Sequence, residues 1–234
     1  MSSPSLIVAL DYPDLRAALE LRERLTGVVD FFKVGSELFT AAGPEVVEAL
    51  RGAEARVFLD LKFHDIPNTV GRAIAAASEL GVSLVDVHAS GGEAMLKAAM
   101  ESASNSGGSR PLVFGITVLT HLADEDLPTL GVKDSSREQA VRLARLAHRC
   151  GLDGVVAAAA EVADIREATA DELEVLVPGV RPTWASQTHD QTRVATPADA
   201  VRAGARYIVV GRAITGQPDP RAAAVRILEE IESA

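Results

Sequence analysis

The chain of 234 residues holds one cysteine, Cys150, so no internal disulfide and no cysteine-based metal cluster can form, and a reducing cytoplasm is the expected location. It has no run of five or more basic residues, and its formal net charge is −10. Nucleic-acid binding rests on clustered positive charge, so no nucleic-acid partner is expected. No apolar stretch reaches the roughly 18 residues needed to span a bilayer, and the amino-terminal MSSPSLIVALDYPD lacks the basic start and small-residue cleavage site of a signal peptide. No membrane role is expected either. Lysine is scarce: Lys33, Lys62, Lys97 and Lys133 stand among 23 basic residues, the rest being arginine. Each lysine therefore poses the question of what an ammonium does that a guanidinium cannot.

What is present is an ordinary globular composition, 47% apolar and 24% charged. A chain of this length can bury roughly 70–75% of its unfolded surface, and residues 1–234 are expected to form one domain. Eight short apolar runs read as strands: SLIVAL (5–10), VDFFKVG (29–35), RVFLDLK (56–62), SLVDVH (83–88), LVFGITV (112–118), LDGVVA (152–157), ELEVLVPG (172–179) and YIVVG (207–211). Helix-period segments lie between them, among them 14–27, 68–81, 135–151 and, at the end of the chain, 219–233. Asn68 and Ser135 or Ser136 are the expected helix starts, and Gly27, Gly81 and Gly151 the expected stops. Strict β-α alternation, eight times over, predicts a (β/α)8 TIM barrel. A doubly wound open sheet competes, but no GxGxxG follows a strand. Two long connections, 121–134 after strand 5 and 181–194 after strand 7, are candidate lids.

Barrel sites lie at the carboxyl ends of the strands, so charges that terminate apolar runs are the first candidates. Strand 1 ends at Asp11, strand 2 carries Lys33, and strand 3 runs through Asp60 and Lys62 towards His64 and Asp65. Strand side chains alternate, which puts Phe58, Asp60 and Lys62 on one face and Val57, Leu59 and Leu61 on the other. Blander readings exist for each. Asp11 suits a turn in DYPD, Lys33 an ammonium snorkelling from a strand edge, and Asp60, Lys62 and Asp65 a structural ion network. After strand 8, Gly211 and Arg212, with Arg181 from the preceding βα loop, suit a phosphate site; Arg212 alone would also pass as a surface arginine.

The run Asp60-Leu61-Lys62-Phe63-His64-Asp65-Ile66-Pro67-Asn68-Thr69 resembles the signature of the orotidine 5′-phosphate decarboxylase family. The likeness extends over the whole chain: Asp11, Lys33 in FFKVG, Thr120 in TVLT, Arg181 in VPGVRP, Gln191 in DQTR and VGR at 210–212. DxKxxDIPNT is highly specific, whereas DxKxxD alone is shared with related sugar-phosphate barrels of the ribulose-phosphate-binding kind.

The resemblance implies conversion of orotidine 5′-phosphate to UMP and CO2 in pyrimidine biosynthesis, without a metal or organic cofactor. It implies Lys62 as proton donor, with Asp60 and Lys33 in the charge array and Asp11 near the ribose. Asp65 and Thr69 would complete the site of a partner in a homodimer. Thr120 would contact the pyrimidine, and Arg181, Gln191, Gly211 and Arg212 would hold the phosphate. A metal-assisted sugar-phosphate lyase on the same barrel and a non-catalytic phosphate-binding barrel are the alternatives. His88 is expected to support by hydrogen bonding, Cys150 to pack, Trp184 to lie in the phosphate lid, and Lys97 and Lys133 to be surface residues. His64 and Asp65 lack a second histidine at metal-binding spacing.

Overall fold

Each of the eight apolar runs forms a parallel strand, and the strands close into a barrel in the order β1 to β8. The computed structural model describes residues 4–185 and 195–234. The chain runs β1 (Ser5–Ala9), α1 (Leu15–Arg24), β2 (Phe31–Gly35), α2 (Ser36–Ala42), α3 (Glu45–Gly52), β3 (Arg56–Phe63), α4 (Pro67–Glu79), β4 (Leu84–His88) and α5 (Glu93–Ser104). It continues with β5 (Leu112–Ile116), α6 (Ser136–Arg149), β6 (Gly154–Val156), α7 (Val162–Ala168), β7 (Glu174–Val177), α8 (Pro197–Ala203), β8 (Tyr207–Val210), α9 (Arg212–Thr215) and α10 (Pro220–Glu232).

Local signals set most boundaries. Ser135 caps α6 in a reciprocal capping box with Glu138, and Asp14 and Asp219 accept backbone N–H groups at the starts of α1 and α10. Gly27, Gly81 and Gly151 follow helices with left-handed φ angles of 76°, 71° and 77°. The expected start at Asn68 is corrected. Ile66 is the cap and Pro67 the first helical residue of α4, because proline's fixed φ and missing N–H suit that position, so Asn68 falls one residue inside.

Alternation along the strands divides the core into two layers. Ile7, Phe31, Phe58, Leu84, Phe114 and Tyr207 point into the barrel, while their neighbours Val8, Phe32, Val57, Leu59, Val85 and Val113 pack outward against the helices. At the amino-terminal end of the barrel the ring of Tyr207 meets Phe31 and Phe114 edge-on, with centroids 6.2 and 5.6 Å apart. Gly154 makes room for this packing: a Cβ there would sit 2.5 Å from Cζ of Phe114 and 2.4 Å from the carbonyl oxygen of Glu174. The apolar filling leaves the polar groups of the strands at the other end.

Candidate active site

At the carboxyl ends of the strands the barrel opens into a cavity of about 590 Å³. Asp11, Lys33, Asp60, Lys62, Thr120, Arg181, Gly211 and Arg212 all line it, so most of the expected site residues converge on one space. Gln191 lies outside the described residues. Asp65 and Thr69 are exposed and take no part in the lining; Asp65 Oδ1 accepts the N–H of Ile66 at 2.6 Å. Asp65 and Thr69 of the DIPNT half of the motif thus stand outside the cavity.

The charges form a chain across neighbouring strands. Lys33 Nζ lies 3.0 Å from Asp11 Oδ1 and 3.2 Å from Asp60 Oδ2, and the other Asp60 oxygen accepts from the Lys62 ammonium. Gly35, two residues after Lys33 on the same face, keeps this path open, since a Cβ there would approach Lys33 Nζ to 2.9 Å. Burial alone would raise the pKa of Asp60, but Lys33, a hydrogen bond with Asp86 and Lys62 outweigh it and hold that carboxyl at about 2. Burial would likewise lower Lys33, yet the carboxylates of Asp60 and Asp11 keep its ammonium above the ordinary lysine value. Both groups are therefore ionised at neutral pH. A buried array of this kind is costly unless it is paired, and here it is paired throughout.

Strand β3 is irregular where it delivers these groups. Phe58 pairs with Leu84 and Leu59 with Val85, but the next pair is Phe63 with Val87, four steps along β3 against two along β4. Within this bulge Lys62 adopts φ +52°, a left-handed conformation that disfavours a residue with a Cβ by roughly 1–2 kcal/mol. Its backbone N–H donates to Asp86 Oδ1 at 2.8 Å.

Asp86 is the functional-site residue that sequence reasoning missed. It sits inside the apolar run of β4 rather than at its end, and strand alternation with Leu84 turns it inward, where it is only 1% exposed. Burial, then the charge and hydrogen bond of Asp60, push its carboxyl well above the ordinary aspartate value. His88, two residues on, stacks its ring 5.2 Å from that of His64. Burial and then the neighbouring His64 and Lys62 lower its pKa, so a neutral imidazole faces this side of the site at neutral pH. Trp184 lines the opposite wall, with the Arg226 guanidinium 4.6 Å from its ring centroid. Thr120 and Leu119 come from the start of the long connection after β5. Lys97 pairs with Glu93 on the surface of α5 and Lys133 is exposed, while Cys150 is buried at the end of α6. No group of three His, Cys, Asp or Glu side chains among the described residues is placed to hold a metal ion.

This arrangement presents a carboxylate, two ammonium groups and two arginines, Arg181 and Arg212, to one cavity. It suits a small anionic ligand. Comparison with known proteins agrees. The family model described as "Orotidine 5'-phosphate decarboxylase / HUMPS family" matches residues 4–227. The orotidine 5′-phosphate decarboxylase of Nitrosomonas europaea is 48% identical over 233 residues, 100% of this chain and 99% of that one. That of Moorella thermoacetica is 50% identical, over 97% of this chain and 92% of the relative. The crystal structure of orotidine 5′-phosphate decarboxylase from Lactobacillus acidophilus superposes with a TM-score of 0.86 at 36% identity, covering 98% and 99% of the two chains.

Proposed function

This chain belongs to the orotidine 5′-phosphate decarboxylase / HUMPS family, and from that premise we propose that it decarboxylates orotidine 5′-phosphate to UMP in pyrimidine biosynthesis. The observation that carries the reading is the Lys33–Asp60–Lys62 array at the barrel mouth, in one cavity with Arg181 and Arg212.

The chemistry explains why such an array is needed. Loss of CO2 from C6 of the pyrimidine leaves an electron pair in the ring plane, outside the π system, with no conjugated sink. Stabilisation then falls to fixed charge in a site shielded from water. The Lys62 ammonium supplies it and delivers the proton that takes the place of CO2, a step that a guanidinium, which holds its proton far more tightly, performs poorly. Asp60 pairs with the Lys62 ammonium and crowds the substrate carboxylate until CO2 leaves. Lys33 fixes Asp60, and Asp11, reached by Lys33 at 3.0 Å, is placed to meet the ribose hydroxyls. Thr120 contacts the base, and Arg181, Gly211 and Arg212, with Gln191, hold the phosphate. Binding energy from the phosphate then serves to hold C6 against Lys62.

The reading assigns the reaction no metal and no organic cofactor, and it makes the working unit a homodimer. Asp65 and Thr69 are exposed beside Ile66, itself 65% exposed, and a second copy that covers this strip would receive both polar groups in its own site. No helix among the described residues is long and apolar enough to cross a membrane, and the cytoplasm is the proposed location.

Loss of orotidine 5′-phosphate absorbance, followed with and without EDTA, tests the reaction. Turnover in both conditions supports it. Turnover that vanishes with EDTA and returns with Mg2+ would transfer the chain to the metal-assisted sugar-phosphate lyases, and binding of UMP without turnover would make it a phosphate-binding barrel.

A further inference from the structure

We infer that Asp86 is a positioning residue that works as a neutral carboxylic acid, accepting the Lys62 backbone N–H on one oxygen and donating its own proton to Asp60 with the other. Three observations lead there. Asp86 is 1% exposed, so its carboxyl is shut off from bulk water. Its Oδ1 is satisfied by Lys62 N at 2.8 Å, whereas the buried Oδ2 has no donor to accept from, although it has the Asp60 carboxyl as neighbour. Two carboxylates side by side are both acceptors and repel; a single proton between them turns the contact into a hydrogen bond.

The surrounding charges decide which carboxyl carries that proton. Asp60 has two ammonium partners, Lys33 from β2 and Lys62 from β3, and remains ionised. Among the described residues Asp86 makes no ion pair of its own: β3 offers it the Asp60 charge and, with a weaker effect, that of Lys62, its own strand offers the neutral His88, and β5 offers Phe114 across the ladder. Its displacement far above the ordinary aspartate range agrees.

The proton matters because of the bulge. Between Leu59 and Phe63 the β3–β4 ladder is interrupted, and the Asp86 side chain replaces the missing backbone partner of Lys62. Asp86 thereby holds the left-handed turn that aims Lys62, and through its proton it fixes the orientation of the Asp60 carboxylate that Lys62 faces. It needs no contact with substrate for this. For its consequence in catalysis the inference rests on the decarboxylase reading; the protonation state stands apart from it.

The test has two arms. Asp86→Asn keeps an acceptor for Lys62 and a donor for Asp60, so kcat should stay within about threefold of the parent, while Asp86→Val removes both groups and should lower kcat about 100-fold with little change in KM, as expected for a displaced reacting group. Equal losses in the two variants, or an unimpaired Asp86→Val, would overturn the inference. The second arm reads the carboxyl 13C resonance that disappears in Asp86→Asn. At pH 7 in the unliganded protein it should have the shift of a protonated acid, and an ionised shift would overturn the proposal. This arm holds even if Asp86→Val does not fold. A parent protein without decarboxylase activity would refute the functional reading and leave the resonance to decide on Asp86.

Discussion

Lys33 and Asp60, on adjacent strands β2 and β3, meet with Nζ 3.2 Å from Oδ2, and their side chains are only 12% and 11% exposed. Neither charge could remain in that position alone. The pair links Asp11 to Lys62, so the array behaves as one unit rather than as separate ion pairs.

Its acid sensitivity follows from the Asp60 carboxyl, held near 2 when folded against an ordinary value near 4. A depressed carboxyl pKa stabilises the fold above the unfolded value, and the contribution disappears as pH falls from about 4 towards 2, a loss of about 2 kcal/mol. Asp60→Asn should lack that acid limb and be about 3–5 kcal/mol less stable at pH 7, because Lys33 and Lys62 lose their shared counter-ion. Urea unfolding of both proteins from pH 7 to pH 2.5 measures this. Parallel stability curves would contradict the assignment.

Lys62→Ala should lower turnover of orotidine 5′-phosphate by at least about 10³-fold, since one residue supplies both charge stabilisation and the proton. The proposed dimer and the proposed binding of UMP should persist, because Arg181 and Arg212 are untouched. Steady-state kinetics with gel filtration and UMP titration separate these quantities; substantial residual turnover would exclude the role given to Lys62.

Asp65→Ala tests the shared site. Neither it nor Lys62→Ala should be active alone, yet mixed chains should form heterodimers with one intact cavity, recovering about a quarter of parental activity if exchange is statistical. Absence of recovery after demonstrated subunit exchange would place Asp65 in its own protomer's chemistry or in none.

Trp184 is the single tryptophan, and it lines the cavity with Arg226 over its ring. Saturating the site with a UMP analogue should shift its emission, and Arg226→Gln should change the emission of the free protein while leaving the nucleotide-dependent shift. An unchanged spectrum on saturation would remove Trp184 from the closing part of the site.

Much of this site can be read in the chain because apolar runs and their terminating charges carry the geometry. Alternation places Phe58 and Asp60 inward and Val57 and Leu59 outward, and the structure keeps that order. The bulge is hidden, since Lys62 takes its left-handed φ without glycine or proline, under the influence of a side chain 24 residues away. The role of Asp86 is hidden for a related reason: a carboxyl embedded in SLVDVH reads as an interruption of a strand, and what it does depends on Lys62 of the adjacent strand. The start of α4 shows the opposite case, where Pro67 carried a sufficient local signal and Asn68 drew the attention.

The aromatic packing of Phe31, Phe114 and Tyr207 makes the barrel a blind-ended vessel. Trp184 and Arg212 line the cavity at the opposite end, where the strands finish. For the proposed reaction, release of the nucleotide must break the contacts that hold its phosphate. Tightening that grip would slow departure as surely as it would strengthen capture, which sets an upper limit on how firmly the nucleotide can usefully be bound.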